Sequence, residues 1–170
     1  DTLGYPVIRH MLNTSGIERF RQAQFDMVRL GIGLYGISVN QQDKLRNVST
    51  FKSTILQIKP VKPGETVGYS RMGKPSQPSL IGIVPVGYAD GLNRKLSNGN
   101  GYMLVRGKKA PVIGNICMDM TMIDVTGIGA EEGDEVIIFG EEIPITLVAE
   151  KSGTIPYEIL TGISERVKRV

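Results

Sequence analysis

The chain has 170 residues, a formal net charge of +3, 41% hydrophobic and 22% charged residues, 21 glycines, one cysteine, one histidine and no tryptophan. A globule of this length buries roughly 70% of the surface of its unfolded chain and needs no staple. The lone Cys117 excludes an internal disulfide and is compatible with a reducing cytosol, while the lone His10 excludes a histidine-based metal cluster.

No apolar run approaches the roughly 20 residues of a membrane-spanning helix. A pI near 9.0 with scattered charge is too mild to argue for nucleic acid. The chain opens Asp-Thr-Leu-Gly, with no initiating methionine and no leader-like stretch, so it reads as an internal piece of something longer.

In chain order, VIRHML (7–12) is an apolar run, NTSG a loop, GIERFRQAQF a short helical or irregular connection, and DMVRLGIGLYGI a second apolar run studded with glycine. That succession is how one unit of a βα barrel or a doubly wound sheet reads, and one unit cannot close a sheet alone. Its apolar runs therefore seek partners. Residues 38–47, SVNQQDKLRN, are polar and read as a linker.

From residue 48 the pattern becomes short runs bounded by Gly, Pro, Asn or Asp: VSTFKSTILQIKPV, PSLIGIVPVG, GYMLVRG, APVIGN, CMDMTMIDVTG and DEVIIFG. Such runs indicate a β-barrel or sandwich. Met118, Met120 and Met122 alternate with Asp119 and Thr121, which suits a strand with its methionines in the core. TLVAEKSG predicts a helix closed by Gly153. Thr154 then caps a second helix with Pro156 in its first turn. SERVKRV reads as a last short strand. The fold class is mainly β: a barrel-like domain over 46–170 with two short helices near its end, preceded over 1–45 by a fragment of a βα (TIM-type) barrel.

Several positions invite chemistry. In ETVGYSRMGK (65–74), Gly68 and Gly73 mark a bend, and Tyr69 sits on it beside Arg71. Its hydroxyl either rests in water or handles protons. The 10–16 loop (His10 to Gly16) supplies hydroxyls and amides that suit an anion, or an ordinary helix cap. Arg29 lies inside an apolar run, where it either needs a partner or reaches solvent along its stem. Tyr88 follows Gly87 in VGYADGLNRKL, 19 residues after Tyr69, so both could line one mouth. Asp90 and Asp119 could form a carboxylate pair, though nothing in their spacing demands one.

H-x-x-N-T (10–14), M-V-R-x-G-I-x-x-Y-G (27–36), V-x-Y (67–69), P-x-G-Y-A-D-G-x-x-R (85–94), G-x-I-x-M-D (114–119) and Y-E-x-x-x-x-I-S-x-R-V (157–167) occur in this order. Together they resemble the alanine racemase family, across nearly the whole chain. GYADG followed by ICMD is the specific part. The resemblance implies the end of that family's N-terminal barrel and its C-terminal β-domain. It implies a pyridoxal 5′-phosphate enzyme that interconverts L- and D-alanine. It further implies a cytoplasmic bacterial head-to-tail homodimer supplying D-alanine for peptidoglycan, with no nucleic acid or membrane partner.

Position by position, Tyr69 resembles the catalytic tyrosine that takes the α-proton of L-alanine. A phenol ionises near pH 10 in water, and each unit of depression requires about 1.4 kcal/mol of differential stabilisation, so such a base needs cations or donors beside it. Arg29 resembles the arginine that faces the cofactor's pyridine nitrogen. Thr14, Gly31 and Ile32 match phosphate-binding positions, and His10 and Asn13 belong to the same motif. Met118 matches the residue whose N–H meets the substrate carboxylate, with Asp119 beside it. Tyr88, Arg94 and Asn115 match the channel by which substrate arrives. The β-domain residues would serve the partner subunit's site.

Two departures stand out. No stretch resembles the motif of the lysine that bonds the cofactor, so the chain by itself is expected to be inactive. Glu165 stands where many members have a tyrosine near the phosphate; a carboxylate there is unfavourable without a cation, so Glu165 is left out of the site and Arg166 is its candidate neighbour. The alternatives are a non-catalytic dimerising scaffold and an RNA-binding β-barrel module, which would want a basic stripe interleaved with aromatics.

Overall fold

A computed structural model describes residues 3–38 and 40–170. Asp1 and Thr2, and Val39 within the polar stretch read as a linker, lie outside the described residues. The chain divides into a first unit ending at Ser49 and a second unit, Thr50–Val170.

In the first unit, helix α1 (Thr14–Arg19) starts at Asn13, whose side-chain oxygen accepts the Gly16 N–H at 3.0 Å. This is the short-polar cap that NTSG favours. The two apolar runs do not form extended strands. They meet at a parallel bridge, His10 to Met27. Asp26 N–H donates to the Arg9 carbonyl and Arg29 N–H to that of Leu12, at 3.1 and 2.8 Å. Residues Ile32–Tyr35 wind into a 3-10 turn instead of continuing a strand. Parallel strands are stable when buried between neighbours on both faces, and here Ile8, Leu30 and Leu34 are exposed.

The stretch read as a linker is tied into this unit. Ser38 Oγ donates to Glu18 of α1 at 2.5 Å, and Asn40 Nδ2 donates to the same carboxylate at 3.0 Å. These donors hold the Glu18 carboxyl below its usual range, Ser38 contributing most.

The second unit is built from two antiparallel sheets. β1 (Phe51–Thr54), β4 (Tyr102–Val105), β5 (Lys108–Pro111) and β7 (Glu135–Phe139) form one, in the order β1-β7-β4-β5. β2 (Gln57–Val61), β3 (Ser79–Val84) and β6 (Thr121–Asp124) form the other, in the order β2-β3-β6. Neither sheet closes on itself, and the class is mainly β as the sequence predicts. β1 opposes β7 with Phe51 across from Phe139, their ring centroids 5.6 Å apart, a productive tilted aromatic pair.

α2 (Ile145–Ser152) covers the larger sheet. Its Leu147 and Val148 share one small void with Met103 of β4 and Ile138 of β7. Gly153 closes α2 at φ 64°, as its composition predicts. α3 (Pro156–Gly162) begins with Pro156 in its first turn, but Ile155, not Thr154, is the capping residue. Thr154 Oγ1 instead donates to the Glu158 carboxylate. SERVKRV does not form a strand: Val167 N–H turns back to the Ser164 carbonyl at 3.1 Å.

At the β4–β5 turn, Arg106 Nε pairs with Asp134 Oδ2 at 2.7 Å. The Arg106 side chain, with the Glu131 N–H second, holds the Asp134 carboxyl below its usual range. A depressed folded-state pKa means stabilisation that is present above the unfolded value, about 3.9, and lost as pH falls below it. Asp134→Asn should therefore flatten the stability-versus-pH curve only below about pH 4. Urea midpoints of both proteins from pH 2.5 to 7 check this.

Candidate functional site

The second unit carries a cleft of about 940 Å³ over one face of the β2-β3-β6 sheet. Period-two alternation places Val61 of β2, Ile81 and Ile83 of β3 and Met122 of β6 on its floor. These pack with Val67, Ile113 and Cys117 into a small apolar cluster. The floor is greasy rather than basic, which is the wrong chemistry for tracking a phosphate backbone.

Three loops make the wall, and they bring together Tyr69, Tyr88, Arg94, Asn115, Met118 and Asp119. Tyr69 follows Gly68, which has φ 76° and whose added Cβ would lie 2.8 Å from Met122 Cε. Ser70 and Arg71 also have positive φ, 59° and 53°. Such backbone is held, not relaxed. The holding bonds are Asn115 Nδ2 to the Tyr69 carbonyl at 3.2 Å and Asn98 Nδ2 to Asn115 Oδ1 at 3.0 Å. The phenol of Tyr69 projects from this bend with the residue 73% exposed.

The second loop, 87–94, is laid directly on the third, 115–120. Tyr88 and Ala89 N–H groups donate to the carbonyls of Cys117 and Met118, both at 3.0 Å. Arg94 lies 6.0 Å from the Tyr88 ring centroid, a weak cation–π approach. Cys117 N–H turns back to the Met120 carbonyl at 2.9 Å, so no strand runs through Met118. The methionine stripe is thus corrected. Met122 is core at 9% exposure, but Met118 and Met120 stand 53% and 45% exposed on the cleft, because β6 begins only at Thr121.

Asp90 and Asp119 do come together, but on a cation. Arg166 Nε donates to Asp90 Oδ1 at 2.7 Å and its Nη2 to Asp119 Oδ1 at 2.5 Å. Asp90 Oδ2 also accepts the Gly87 N–H at 2.8 Å. The hydrogen bonds from Arg166, to Asp119 first and Asp90 second, lift its guanidinium further above its ordinary range. Sequence reasoning had Arg166 beside Glu165. Glu165 is exposed, and the arginine turns to the two carboxylates instead. Lys59 and Asn98 were also missed. The signal for Arg166 was available: a carboxylate pair needs a cation.

The first unit holds the other named residues. Thr14 Oγ1 accepts the N–H groups of Gly31 and Gly33 at 3.1 and 3.2 Å. Both its lone pairs are then engaged, so the hydroxyl proton is what it can offer a further group. Ile32 lies between those glycines and Asn13 caps α1. An added Cβ at Gly33 would stand 3.0 Å from Thr14 Cγ2, so backbone and hydroxyl are closely nested. Arg29 Nη2 donates to the Met11 carbonyl at 3.0 Å, and His10 sits at the parallel bridge. Because both glycine amides point at Thr14 Oγ1, the hydroxyl proton, and not these amides, is the donor that this loop offers a phosphate.

Among the described residues no group of three His, Cys, Asp or Glu side chains could hold a metal ion. Among them no helix is long and apolar enough to cross a membrane.

Residues 48–170 match the family model of the alanine racemase C-terminal domain, and residues 2–39 that of its N-terminal domain. Alanine racemase 2 of Caldanaerobacter subterraneus is 46% identical over 96% of this chain and 44% of its own length. The alanine racemase of Halothermothrix orenii is 46% identical over 95% and 45%. Among solved structures, alanine racemase from Clostridium difficile in complex with cycloserine superposes with a TM-score of 0.88 at 39% identity, over 95% of this chain and 44% of that one. Alanine racemase from Bartonella henselae with covalently bound pyridoxal phosphate does so with 0.87 at 34% identity, over 95% and 46%. The chain spans less than half the length of these relatives.

Proposed function

The chain belongs to the alanine racemase family, and from that membership we propose that the whole protein to which it contributes interconverts L- and D-alanine with pyridoxal 5′-phosphate. The observation that carries the reading is the meeting of Tyr69, Tyr88, Arg94, Asn115, Met118 and Asp119 around one cleft. Six motif positions spread over 51 residues of chain, 69 to 119, form one wall above an apolar floor, which is the form of a small-molecule site.

In this reading Tyr69 is the base on the L side. The bend at 68–71 holds its backbone, and its exposed phenol is free to serve a site outside this unit. Tyr69 takes the α-proton of L-alanine, and gives it back in the reverse direction. The Met118 N–H binds the substrate carboxylate. Tyr88, Arg94 and Asn115 line the approach. The proposal includes a homodimer in which these side chains serve the partner's site, a cytoplasmic location and supply of D-alanine for peptidoglycan.

The Thr14 hydroxyl, with Gly31 and Ile32 beside it and Asn13 and His10 in the same loop, suits the cofactor's phosphate, and Arg29 suits its ring nitrogen. Arginine keeps its proton, so it leaves that nitrogen an acceptor. When bound, pyridoxal phosphate supplies the electron sink for the charge left at Cα. Racemisation needs a second base and a lysine to hold the cofactor. The family's lysine lies in a motif that this chain lacks, so the 170-residue chain alone is expected to be inactive.

The test is α-hydrogen exchange in heavy water. The protein with its complete barrel and bound cofactor should exchange both alanine enantiomers, and the 170-residue chain neither. A cofactor-loaded whole protein that exchanges neither overturns the reading and favours a dimerising scaffold.

A further inference from the structure

We propose that Arg166 is a positioning residue that fixes the 117–120 segment and masks the Asp119 carboxylate at the cleft mouth, so that a small carboxylate ligand can approach Met118. The inference rests on the alanine reading above, and its first readout needs no turnover.

Charge on the cleft wall is unequal. Among the described residues lining it, Lys59 and Arg94 are cationic and Asp119 carries the one carboxylate. Asp119 is also next to Met118, and its side chain is 52% exposed. Left bare, it would repel an incoming carboxylate at short range. Arg166 meets that one acid.

The geometry of the arm is built. Asp90 is nearly enclosed, its side chain 9% exposed, and it grips Arg166 at Nε. Its other oxygen is engaged by the Gly87 N–H, so the anchor itself is fixed. With Nε held, the planar fork directs Nη2 to Asp119. A lysine ammonium is a point charge on a flexible stem and lacks this fork.

The exposed Arg166–Asp119 contact contributes little to folding, whereas loss of the Arg166 cation beside the enclosed Asp90 costs some stability, which a glutamine amide in its place offsets in part by donating to the same carboxylate. The tail is docked without it: Ser164 N–H donates to the Asp90 carbonyl at 3.2 Å, and Gly91 abuts the Gly162 carbonyl closely. An Arg166→Gln protein should therefore fold.

The experiment uses the whole protein with its barrel, labelled with [15N]methionine, and acetate as the simplest carboxylate. In wild type the Met118 amide should shift on acetate addition. Arg166→Gln should weaken that response about tenfold. Arg166→Gln with Asp119→Asn should recover to within about threefold of wild type, because the repulsion is removed although the arm is still missing. Arg166→Lys should fall between. KM for alanine should follow the same order, with kcat nearly unchanged in the Arg166 single variants.

No acetate response at Met118, an unchanged response in Arg166→Gln, or a double variant no better than the single one each overturns the proposal. The last would leave Arg166 a purely structural brace. The expected acetate pattern in a protein that racemises nothing would leave the masking intact and remove the racemase reading.

Discussion

Tyr69→Phe in the protein that carries the complete barrel is expected to lower α-proton exchange of L-alanine by about 10²–10⁴-fold, the usual contribution of a positioned general base. The change deletes one oxygen. The ring stays, the bend that carries it is made by Gly68, Ser70 and Arg71, and its tether is a main-chain carbonyl, so nothing in the loop is disturbed. Stability should move by less than about 0.5 kcal/mol, as for surface substitutions generally. On the proposed two-base reading, exchange of D-alanine should fall far less, because its proton would leave from the opposite face to the other base. Enantiomer-resolved deuterium uptake by proton NMR, with oligomeric state checked on the same samples, reads both. Equal retention of L-exchange would remove Tyr69 as the base. Loss of both enantiomers together with the dimer would mean that the side chain holds subunits and not protons.

The readable parts of this protein are those where local chemistry and tertiary demand agree. Gly153 after an apolar helical run stops α2 with no help from elsewhere. Pro156 has its missing N–H at a position where α3 has no partner for one. Runs bounded by turn residues contain six of the second unit's strands, while β5 (Lys108–Pro111) begins ahead of the run APVIGN and shares only Ala110 and Pro111 with it. The failures share a cause. Alternation at 118–122 looks like a strand, yet the Gly114 bend and the Cys117–Met120 turn take the segment off the sheet until Thr121. SERVKRV alternates well enough, but Arg166 has two carboxylates to satisfy and the tail turns to reach them. VIRHML and MVRLGIGLYG have strand composition but meet at a single parallel bridge, His10 to Met27, and form no ladder. Six of the positions named from motif identity line one cleft in spite of these errors. The bracing by Asn98 and Asn115 was not legible, because these side chains act across 17 and 46 positions of sequence separation.

Gly87→Ala is expected to destabilise the second unit by about 3 kcal/mol, the upper end of what overpacking costs. The reason is approach, not backbone freedom, since Gly87 is extended at φ −140°, where alanine is at ease. A Cβ built there lies 2.3 Å from the carbonyl oxygens of both Cys117 and Met118. Neither is a flexible side-chain tip that could swing aside. The same two carbonyls accept the Tyr88 and Ala89 N–H groups, so relieving the clash breaks the bonds that join the two loops. Each such bond contributes about 1 kcal/mol net, and a donor left buried costs more. The Gly87 N–H bond to Asp90 is strained as well, and with it the anchor of Arg166. One methyl group would thus separate Tyr88 from Met118 and open the wall of the cleft. Gly162→Ala is the control: its added Cβ has nothing within 4 Å, and its cost should stay within about 0.5 kcal/mol. Urea unfolding of both variants gives the comparison, and acetate response at the Met118 amide reports the wall directly. A Gly87→Ala protein with wild-type midpoint would mean that the 115–120 loop yields freely, and that the positions of Met118 and Asp119 are not set by the contact described here.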